Sequence, residues 1–131
     1  VVDLSAFPNS VVDVYVDLPQ TDAGTRCAAI SAASMALADA GIPMKDMICS
    51  VSVGQVQETV LADLTYNEEA HEAPVSDIPI AMVHNTGELS LLQMDGEISR
   101  EDLMKALALG KEACEQVYKV QVAALKEKFK K

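Results

Sequence analysis

The sequence predicts an α+β fold in which an antiparallel sheet is backed by a long C-terminal helix. Apolar residues alternate with polar ones at 11–18, recur with a helical period at about 22–40, and then form four short strand-like segments before a final long helical segment. The connections between the four segments are short, which favours antiparallel pairing. With 131 residues, half of them apolar, the chain can bury one modest core.

Residues 11–18 are predicted to form the first strand. One face of this segment carries Val12, Val14, Val16 and Leu18, whereas the other carries two aspartates and a tyrosine. Strict alternation of this kind is typical of a strand that buries one face.

A helix is predicted to follow the change of period at Pro19. Thr21 or Asp22 can cap its N-terminus, and Gly41 with Pro43 can end it. Small residues recur every three or four positions and would let this helix lie close to a sheet: Ala29, Ala32 or Ala33, Ala36 and Ala40.

Four strands are predicted next, at about 48–53, 58–64, 78–83 and 88–94. The last two are joined by Asn85-Thr86-Gly87, a sequence typical of a hairpin turn.

The last helix is predicted to begin at Ser99, because Asp102 three residues on completes a capping-box-like pair. Its apolar line has one polar break, at Gln121. The line comprises Leu103, Leu107, Gly110, Cys114, Val117, Gln121, Ala124 and Phe129.

Composition excludes several classes of protein. The formal net charge of -10 argues against a free-standing nucleic-acid binder, so we expect no DNA partner. No apolar run approaches the roughly 20 residues of a membrane span and no signal peptide is recognisable, so we expect a cytoplasmic protein without a membrane partner. Cys27, Cys49 and Cys114 lie far apart in apolar segments, which favours three reduced core thiols over a disulfide or zinc framework.

Basic residues are scarce in the first part of the chain. Within residues 1–99 only Arg26 and Lys45 are basic. The sequence also begins without methionine, shortly before a strand pattern, so we expect a piece of a longer protein.

The residues from Asp22 to Arg26 form a candidate anion site. The free N–H groups of a helix N-terminus favour an anion, Gly24 lets a phosphate approach the backbone, and Arg26 adds a bidentate donor. An ordinary helix start, with Arg26 paired to Asp22 or to another carboxylate, is an equally good interpretation of these residues alone.

The acidic segment 67–77 is a second candidate. Carboxylates grouped at strand ends can hold a divalent cation or act as general acid or base, although a solvated loop is the commoner meaning of such a run. His71 and His84 have no cysteine at ligand spacing, so neither indicates a metal motif.

Read as a whole, Val12 to Val53 resembles the RNase PH family, and within it the catalytic-type subunit of the archaeal exosome ring. The matching runs are Val12-Asp13-Val14-Tyr15-Val16, Asp22-Ala23-Gly24-Thr25-Arg26, Ala32-Ala33-Ser34 and Leu37-Ala38-Asp39-Ala40-Gly41-Ile42-Pro43-Met44. Weaker matches are Ala62-Asp63-Leu64, Asp77-Ile78-Pro79-Ile80-Ala81-Met82 and Leu91-Leu92-Gln93-Met94-Asp95-Gly96. The resemblance covers the C-terminal half of a family member. It implies that 1–45 are the last strand and helix of a first RNase PH-type domain and that 46–131 are the second domain.

The resemblance also implies an activity. Family members shorten RNA from its 3′ end, with inorganic phosphate as co-substrate, and release nucleoside diphosphates. Gly24, Thr25 and Arg26 would hold the attacking phosphate, and Asp77 would be a catalytic aspartate that acts with a divalent metal such as Mg²⁺ or as general acid. We therefore expect Arg26 to point into a cleft shared with Asp77.

Two departures from the family pattern separate the possible functions. His71 stands where the family has its other aspartate, six residues before Asp77, although Glu68, Glu69 or Glu72 would substitute if the loop shifts. Asn9 stands where relatives usually have arginine.

The leading expectation is a phosphorolytic 3′-to-5′ exoribonuclease subunit, which binds single-stranded RNA in a hexameric ring with a related non-catalytic subunit. As an isolated fragment we expect it to be inactive. The alternative is a non-catalytic structural or RNA-guiding ring subunit. Arg26 favours the enzyme and His71 favours the structural subunit.

Overall fold

The computed structural model describes residues 1–128 and Lys130. After a short 3₁₀ turn at Leu4–Ala6, its elements are α1 (Thr25–Asp39), β1 (Ile48–Val56), β2 (Thr59–Ala62), α2 (Tyr66–Glu69), β3 (Val75–Val83), β4 (Leu89–Leu92) and α3 (Arg100–Lys128). The strands form one sheet in the order β2-β1-β3-β4, and every neighbouring pair is antiparallel. None of the helices in this described part combines the length and apolarity that crossing a membrane requires.

The four strands and the long helix in the second part of the chain form as the sequence predicts. All four strands form within or around the predicted ranges, and β1 and β3 each extend to nine residues. The predicted turn closes with the Gly87 amide donating to the Val83 carbonyl at 2.8 Å. The Ser99 hydroxyl accepts from the Asp102 amide at 3.0 Å, so α3 begins at the predicted cap.

The core lies between α3 and one face of the sheet. Val53 pairs with Ile78 across β1 and β3, and the alternate residues of both strands point towards the helix. Gly110 brings α3 close, because a Cβ there would lie 2.9 Å from Val53 Cγ1. The buried cluster consists of Cys49, Val51, Val53, Ile78, Ile80, Met82, Ala106 and Cys114.

The predicted strand at 11–18 is wrong for this structure. No residue of this segment is in a strand, and its four alternating apolar side chains are between 42% and 49% exposed. The physical reason is that alternation fits a strand but only hydrogen bonds to a neighbouring strand make one. Among the described residues, no backbone hydrogen bond joins 11–18 to β2 or β4, the two edges of the sheet.

The helix α1 forms as predicted, but it packs by a different face. Ala32, Ala36 and Ala40 of the predicted alanine stripe are exposed, whereas Cys27 and Ser34 are buried. The reason is that β2 is only four residues long and pairs with Val53–Val56. The beginning of β1 therefore has an edge without a strand partner. Side chains that can hydrogen-bond the backbone are needed there, and alanines have none.

Two serines of α1 occupy this free edge. The Ser31 hydroxyl accepts from the Ser50 amide at 3.0 Å and donates to the Ser50 carbonyl at 3.3 Å, and the Ser34 hydroxyl accepts from the Ile48 amide at 2.9 Å. Gln121, the polar break in the line of α3, donates to the Ile48 carbonyl at 3.1 Å. Side-chain hydrogen bonds therefore replace a strand along the start of β1.

The rest of the apolar line of α3 is confirmed in part. Its members from Leu103 to Gln121 are buried or half-buried, whereas Ala124 is exposed. Phe129 lies outside the described residues.

Candidate functional site

The turn before α1 differs from the predicted cap. Gly24, rather than Thr21 or Asp22, is the N-cap residue, with φ 56° and ψ 12°, and Ala23 before it is also left-handed at φ 59°. Two successive left-handed residues reverse the chain sharply and carry Asp22 away from the first turn of α1. Its carboxylate instead accepts from the Tyr66 amide at 3.1 Å.

Because no side chain caps α1, its first amides are left for another acceptor. Gly24 is required here by its backbone conformation rather than by lack of room, since a Cβ would be 3.6 Å from Asp63 Oδ1. Asp63 is itself left-handed, at φ 63°. A left-handed conformation is costly for alanine, so the fold holds strained backbone at Ala23 within this turn.

Arg26, in the first turn of α1, extends from the helix to the far strand of the sheet. Its Nη1 donates a hydrogen bond to Oε1 of Gln93, which follows β4. Arg26 is exposed, and within the described residues it forms no ion pair with a carboxylate. The alternative of an arginine paired with Asp22 is therefore not what the structure shows.

Asp77 lies on β3, opposite Gly54 of β1. Its Oδ1 accepts a hydrogen bond from the hydroxyl of Ser52, a residue only 1% exposed. Successive side chains of a strand point to opposite faces of the sheet. Because Ile78 points into the core, the side chain of Asp77 next to it points away from the core. The carboxylate of Asp77 is therefore half-buried on the opposite face from the α3 core.

Cys27 shows that the turn and Asp77 belong to one region. This buried thiol follows Arg26 directly, and burial is the main cause of its raised pKa. The charge of Asp77 raises the pKa further, whereas the charge of Arg26 lowers it. Both charges therefore act on the same thiol. Arg26 also contacts Gln93, whose amide donates to the Pro79 carbonyl, and Pro79 and Asp77 point to the same face of β3.

Glu69, at the end of α2, is the third charged group of the site. Burial raises the pKa of this carboxyl, and the negative charges of Asp77 and Asp22 raise it further, while a hydrogen bond from the Gly24 backbone N–H lowers it. Glu69 thus interacts electrostatically with both the turn before α1 and Asp77. It is one of the three glutamates that the sequence left as alternatives.

The other residues of the acidic segment have different roles. Glu68 completes a capping box with Thr65, whose amide donates to Glu68 Oε2 at 2.7 Å. His71 is exposed, and its Nδ1 accepts from the Ala73 amide at 3.0 Å. Glu72 is exposed. The sequence did not predict the helix α2, and this helix directs the side chains of Glu68 and Glu69 to different partners.

A cavity of about 590 Å³ opens beside the turn, between α1 and α3. Gly24, Cys27 and Asp63 line the end of it that is nearest the turn, and Ala113 and Val117 of α3 line the apolar side. In the described part of the chain, no group of three or more histidine, cysteine, aspartate or glutamate side chains is arranged to hold a metal ion.

Sequence reasoning missed Gln93 and Ser52. Each is a polar residue in a predicted strand segment, but the sequence of that segment does not show which distant residue the side chain contacts. Only the register of β3 with β1 and with β4 places Ser52 under Asp77 and Gln93 beside Arg26.

Comparisons with known proteins match nearly the whole described chain. The model of the 3′ exoribonuclease family, domain 2, matches residues 46–113, and the model of the same family, domain 1, matches residues 1–43. The rice (Oryza sativa) Rrp46 crystal structure matches with a TM-score of 0.73 at 23% identity, over 81% of this chain and 50% of that one, which indicates a shared fold.

Curated relatives include archaeal proteins. The exosome complex component Rrp41 of Nitrosopumilus maritimus is 44% identical over 126 residues, which is 96% of this chain and 51% of that protein. The Rrp41 component of Methanopyrus kandleri is 45% identical over 94% of this chain and 51% of its own, and that of Pyrococcus furiosus is 41% identical over 98% and 50%. The chain spans about half the length of these relatives.

Proposed function

Because this chain belongs to the 3′ exoribonuclease (RNase PH) family, we propose that it is the C-terminal part of an exosome ring subunit that degrades RNA by phosphorolysis. In this proposal the full assembly removes nucleotides from the 3′ end of single-stranded RNA, uses inorganic phosphate as the attacking group and releases nucleoside diphosphates. The relatives named as exosome complex components support the proposal that the chain comes from an exosome subunit.

The observation that carries the proposal is the position of Glu69. The sequence lacks a carboxylate six residues before Asp77, where His71 stands, and this absence favoured a subunit without catalysis. Glu69 is a second carboxyl group that interacts with Asp77: burial raises the pKa of Glu69, and the negative charge of Asp77 raises it further. A pair of carboxylates beside a phosphate turn is what acid-assisted phosphoryl transfer needs.

The phosphate would be held by Gly24, Thr25 and Arg26. Uncapped amides at the start of α1 donate to its oxygens, the Thr25 hydroxyl can add a donor, and Arg26 supplies positive charge. Such a site orients one phosphate oxygen towards the last phosphodiester of the RNA and needs no covalent enzyme intermediate.

The bond changes follow from this arrangement. A phosphate oxygen forms a bond to the terminal phosphorus, and the bond from that phosphorus to the 3′ oxygen of the preceding nucleotide breaks. The released 3′ oxygen takes a proton, for which the carboxyl pair Glu69 and Asp77 is the source. If Mg²⁺ is bound instead, the two groups would hold it as ionised carboxylates, it would supply charge neutralisation on the phosphate oxygens, and the released 3′ oxygen would take its proton from water.

The second candidate function is a non-catalytic ring subunit, as His71 suggests. In both cases the partner is a related RNase PH-type subunit of the ring. The exposed apolar side chains at 11–18 support a need for further protein surface against this segment.

Phosphate-dependent release of nucleoside diphosphates tests the proposal. The full-length assembly is incubated with unlabelled single-stranded RNA, with and without phosphate, and the products are separated. We expect diphosphates from the wild type and a loss of at least about a hundredfold in Arg26→Gln and Glu69→Gln, since each removes a charged group from the site. Lys45→Gln and Glu72→Gln are matched controls on exposed residues and should keep full activity. RNA binding without diphosphate release by an intact wild-type ring would favour the structural subunit instead.

A further inference from the structure

The contact between Arg26 and Gln93 joins two parts of the chain that are 67 positions apart. Arg26 lies in the segment matched by the domain 1 family model, and Gln93 in the segment matched by domain 2. The hydrogen bond therefore ties the turn before α1 to the far side of the sheet.

The backbone of Gln93 is itself fixed. Its amide donates to the Pro79 carbonyl at 3.1 Å, which continues the pairing of β4 with β3 beyond Leu92. Two residues on, Asp95 and Asp77 exchange two backbone hydrogen bonds of 2.9 Å and 2.8 Å. The side chain of Gln93 thus projects from a paired segment rather than from a loose loop.

The same register sets where Gln93 points. Residues directly opposite each other in an antiparallel pair share a face, so Gln93 shares a face with Pro79 and Asp95 shares a face with Asp77. Gln93 and Asp77 are diagonal neighbours on this face, about 7–8 Å apart. Arg26 is thereby held over the face that carries Asp77.

The acceptor is an uncharged amide although carboxylates lie close by. Glu69, Asp63 and Asp77 all border the site, yet within the described residues none of them forms an ion pair with Arg26. An amide oxygen fixes the guanidinium without neutralising it and uses one of its five N–H donors. The positive charge and the remaining donors stay directed to an anion.

We propose that Gln93 is a positioning residue for phosphate: by holding Arg26 through a neutral hydrogen bond, it presents a pre-oriented guanidinium to the attacking phosphate of the proposed reaction. This role rests on the proposed function. An unrestrained arginine side chain loses rotamer entropy when it binds a ligand, and a fixed one has already lost part of it. Gln93 therefore sets the affinity for phosphate and not the chemical step.

Steady-state kinetics of the full-length assembly with varied phosphate tests this role. We expect Gln93→Ala to raise KM for phosphate about three- to tenfold, the value of one lost hydrogen bond, with kcat at saturating phosphate and KM for RNA unchanged. Gln93→Glu should raise it further, because a carboxylate there neutralises Arg26. Ser90→Ala, an exposed residue of β4, is the control and should match the wild type. A change in kcat with KM for phosphate unaltered would overturn the proposal.

A double-mutant cycle separates positioning from direct contact. In an Arg26→Ala background, Gln93→Ala should have no further effect on KM for phosphate, because the residue that it positions is gone. A further rise in that background would overturn the proposal, since Gln93 would then act on phosphate by itself. Wild-type assembly without any phosphate-dependent release would refute the proposed function, whereas an active wild type with an unaffected Gln93→Ala variant would refute this role alone.

Discussion

The hydroxyl of Ser52 on β1 donates a hydrogen bond to Oδ1 of Asp77 on β3, and the serine is almost completely buried beneath the carboxylate. The two residues are 25 positions apart in the chain. This contact satisfies one oxygen of Asp77 and leaves the other for the face over which Arg26 is held.

Ser52→Ala is expected to lower the activity of the proposed enzyme with little change in substrate affinity. The variant removes the donor and leaves Asp77 free to rotate, and we expect kcat to fall about tenfold while KM for phosphate stays the same. Loss of the hydrogen bond should also lower the free energy of unfolding by about 1 kcal/mol. Ser90→Ala serves as a control, and an unchanged kcat in Ser52→Ala would show that the contact does not orient Asp77.

Glu69 predicts a dependence of stability on pH. Its pKa is raised in the folded protein above the ordinary value of 4.5, so the folded state holds the proton more tightly than the unfolded chain does. The stabilisation is present at low pH and is lost as the pH rises from 4.5 through the folded pKa. Glu69→Gln, which carries no charge, should therefore be more stable than the wild type at pH 7 and equal to it near pH 4.

Urea unfolding of both proteins at the two pH values measures this difference. Glu72→Gln, at an exposed position of the same segment, is the matched control and should show no pH-dependent gain. A loss of stability at pH 7 in Glu69→Gln would contradict this prediction. It would mean that the ionised carboxylate is stabilised by favourable contacts rather than destabilised by burial and by the charges of Asp77 and Asp22.

Local signals in the sequence account for much of the fold. The cap at Ser99, the turn at Asn85-Thr86-Gly87 and the four short strand segments each depend on residues a few positions apart, and the structure confirms them. The segment 11–18 has an equally clear local pattern, but a strand also needs a partner that its own sequence cannot specify.

The site was harder to predict because its contacts are distant in sequence. The sequence singled out Arg26 and Asp77 but not Gln93, which lies 67 positions beyond Arg26 and is placed by strand register. It also left three glutamates open, because the orientation of Glu69 depends on the single turn of α2. Residues that are distant in sequence reach the same face of the sheet only after the strands have paired.

Gln121 is expected to be important for stability. Its Nε2 donates to the carbonyls of Ser31 at 2.9 Å and Ile48 at 3.1 Å, and its Oε1 accepts from the Cys49 thiol at 3.2 Å. Gln121→Leu keeps the volume but leaves the Ile48 carbonyl on the free edge of β1 without its donor and removes a second donor from the Ser31 carbonyl, which should cost about 1–3 kcal/mol of unfolding free energy. Gln116→Leu, an exposed position on the same helix, should change it by less than about 0.5 kcal/mol. Equal effects of the two variants would contradict a special role for Gln121.

The three cysteines should be unreactive in the folded protein. All are free and buried, and burial raises the pKa of Cys49 to about 12 and that of Cys114 to about 11, while the pKa of Cys27 is also raised. Because the thiolate is the reactive form, almost none is present at pH 8. Mass spectrometry after iodoacetamide treatment should find no labelled cysteine in the native protein and three in the protein unfolded in urea. Rapid labelling of native Cys27 would show that the turn opens to solvent.

Gly110 allows α3 to approach the sheet closely, and adding a methyl group there should destabilise the protein. A Cβ at this position would overlap Ile80 Cδ1 and lie 2.9 Å from Val53 Cγ1, inside the buried cluster. Alanine gains about 1 kcal/mol of helix propensity over glycine, but overpacking a core typically costs about 1–3 kcal/mol, so a net loss is expected. Thermal unfolding of Gly110→Ala should therefore show a lower Tm than the wild type.

A compensating substitution tests the cause of that loss. Ile80→Val removes the Cδ1 atom that the new methyl group would overlap, and by itself it should cost about 0.5–1.5 kcal/mol. If steric overlap is the cause, the double variant Gly110→Ala/Ile80→Val should lose less stability than the sum of the two single variants, because the methyl group fills the space that Cδ1 leaves. Strictly additive losses of stability would instead mean that α3 shifts away from the sheet when Gly110 is replaced. In that case Ile80 Cδ1 would not be the atom that limits how closely α3 approaches.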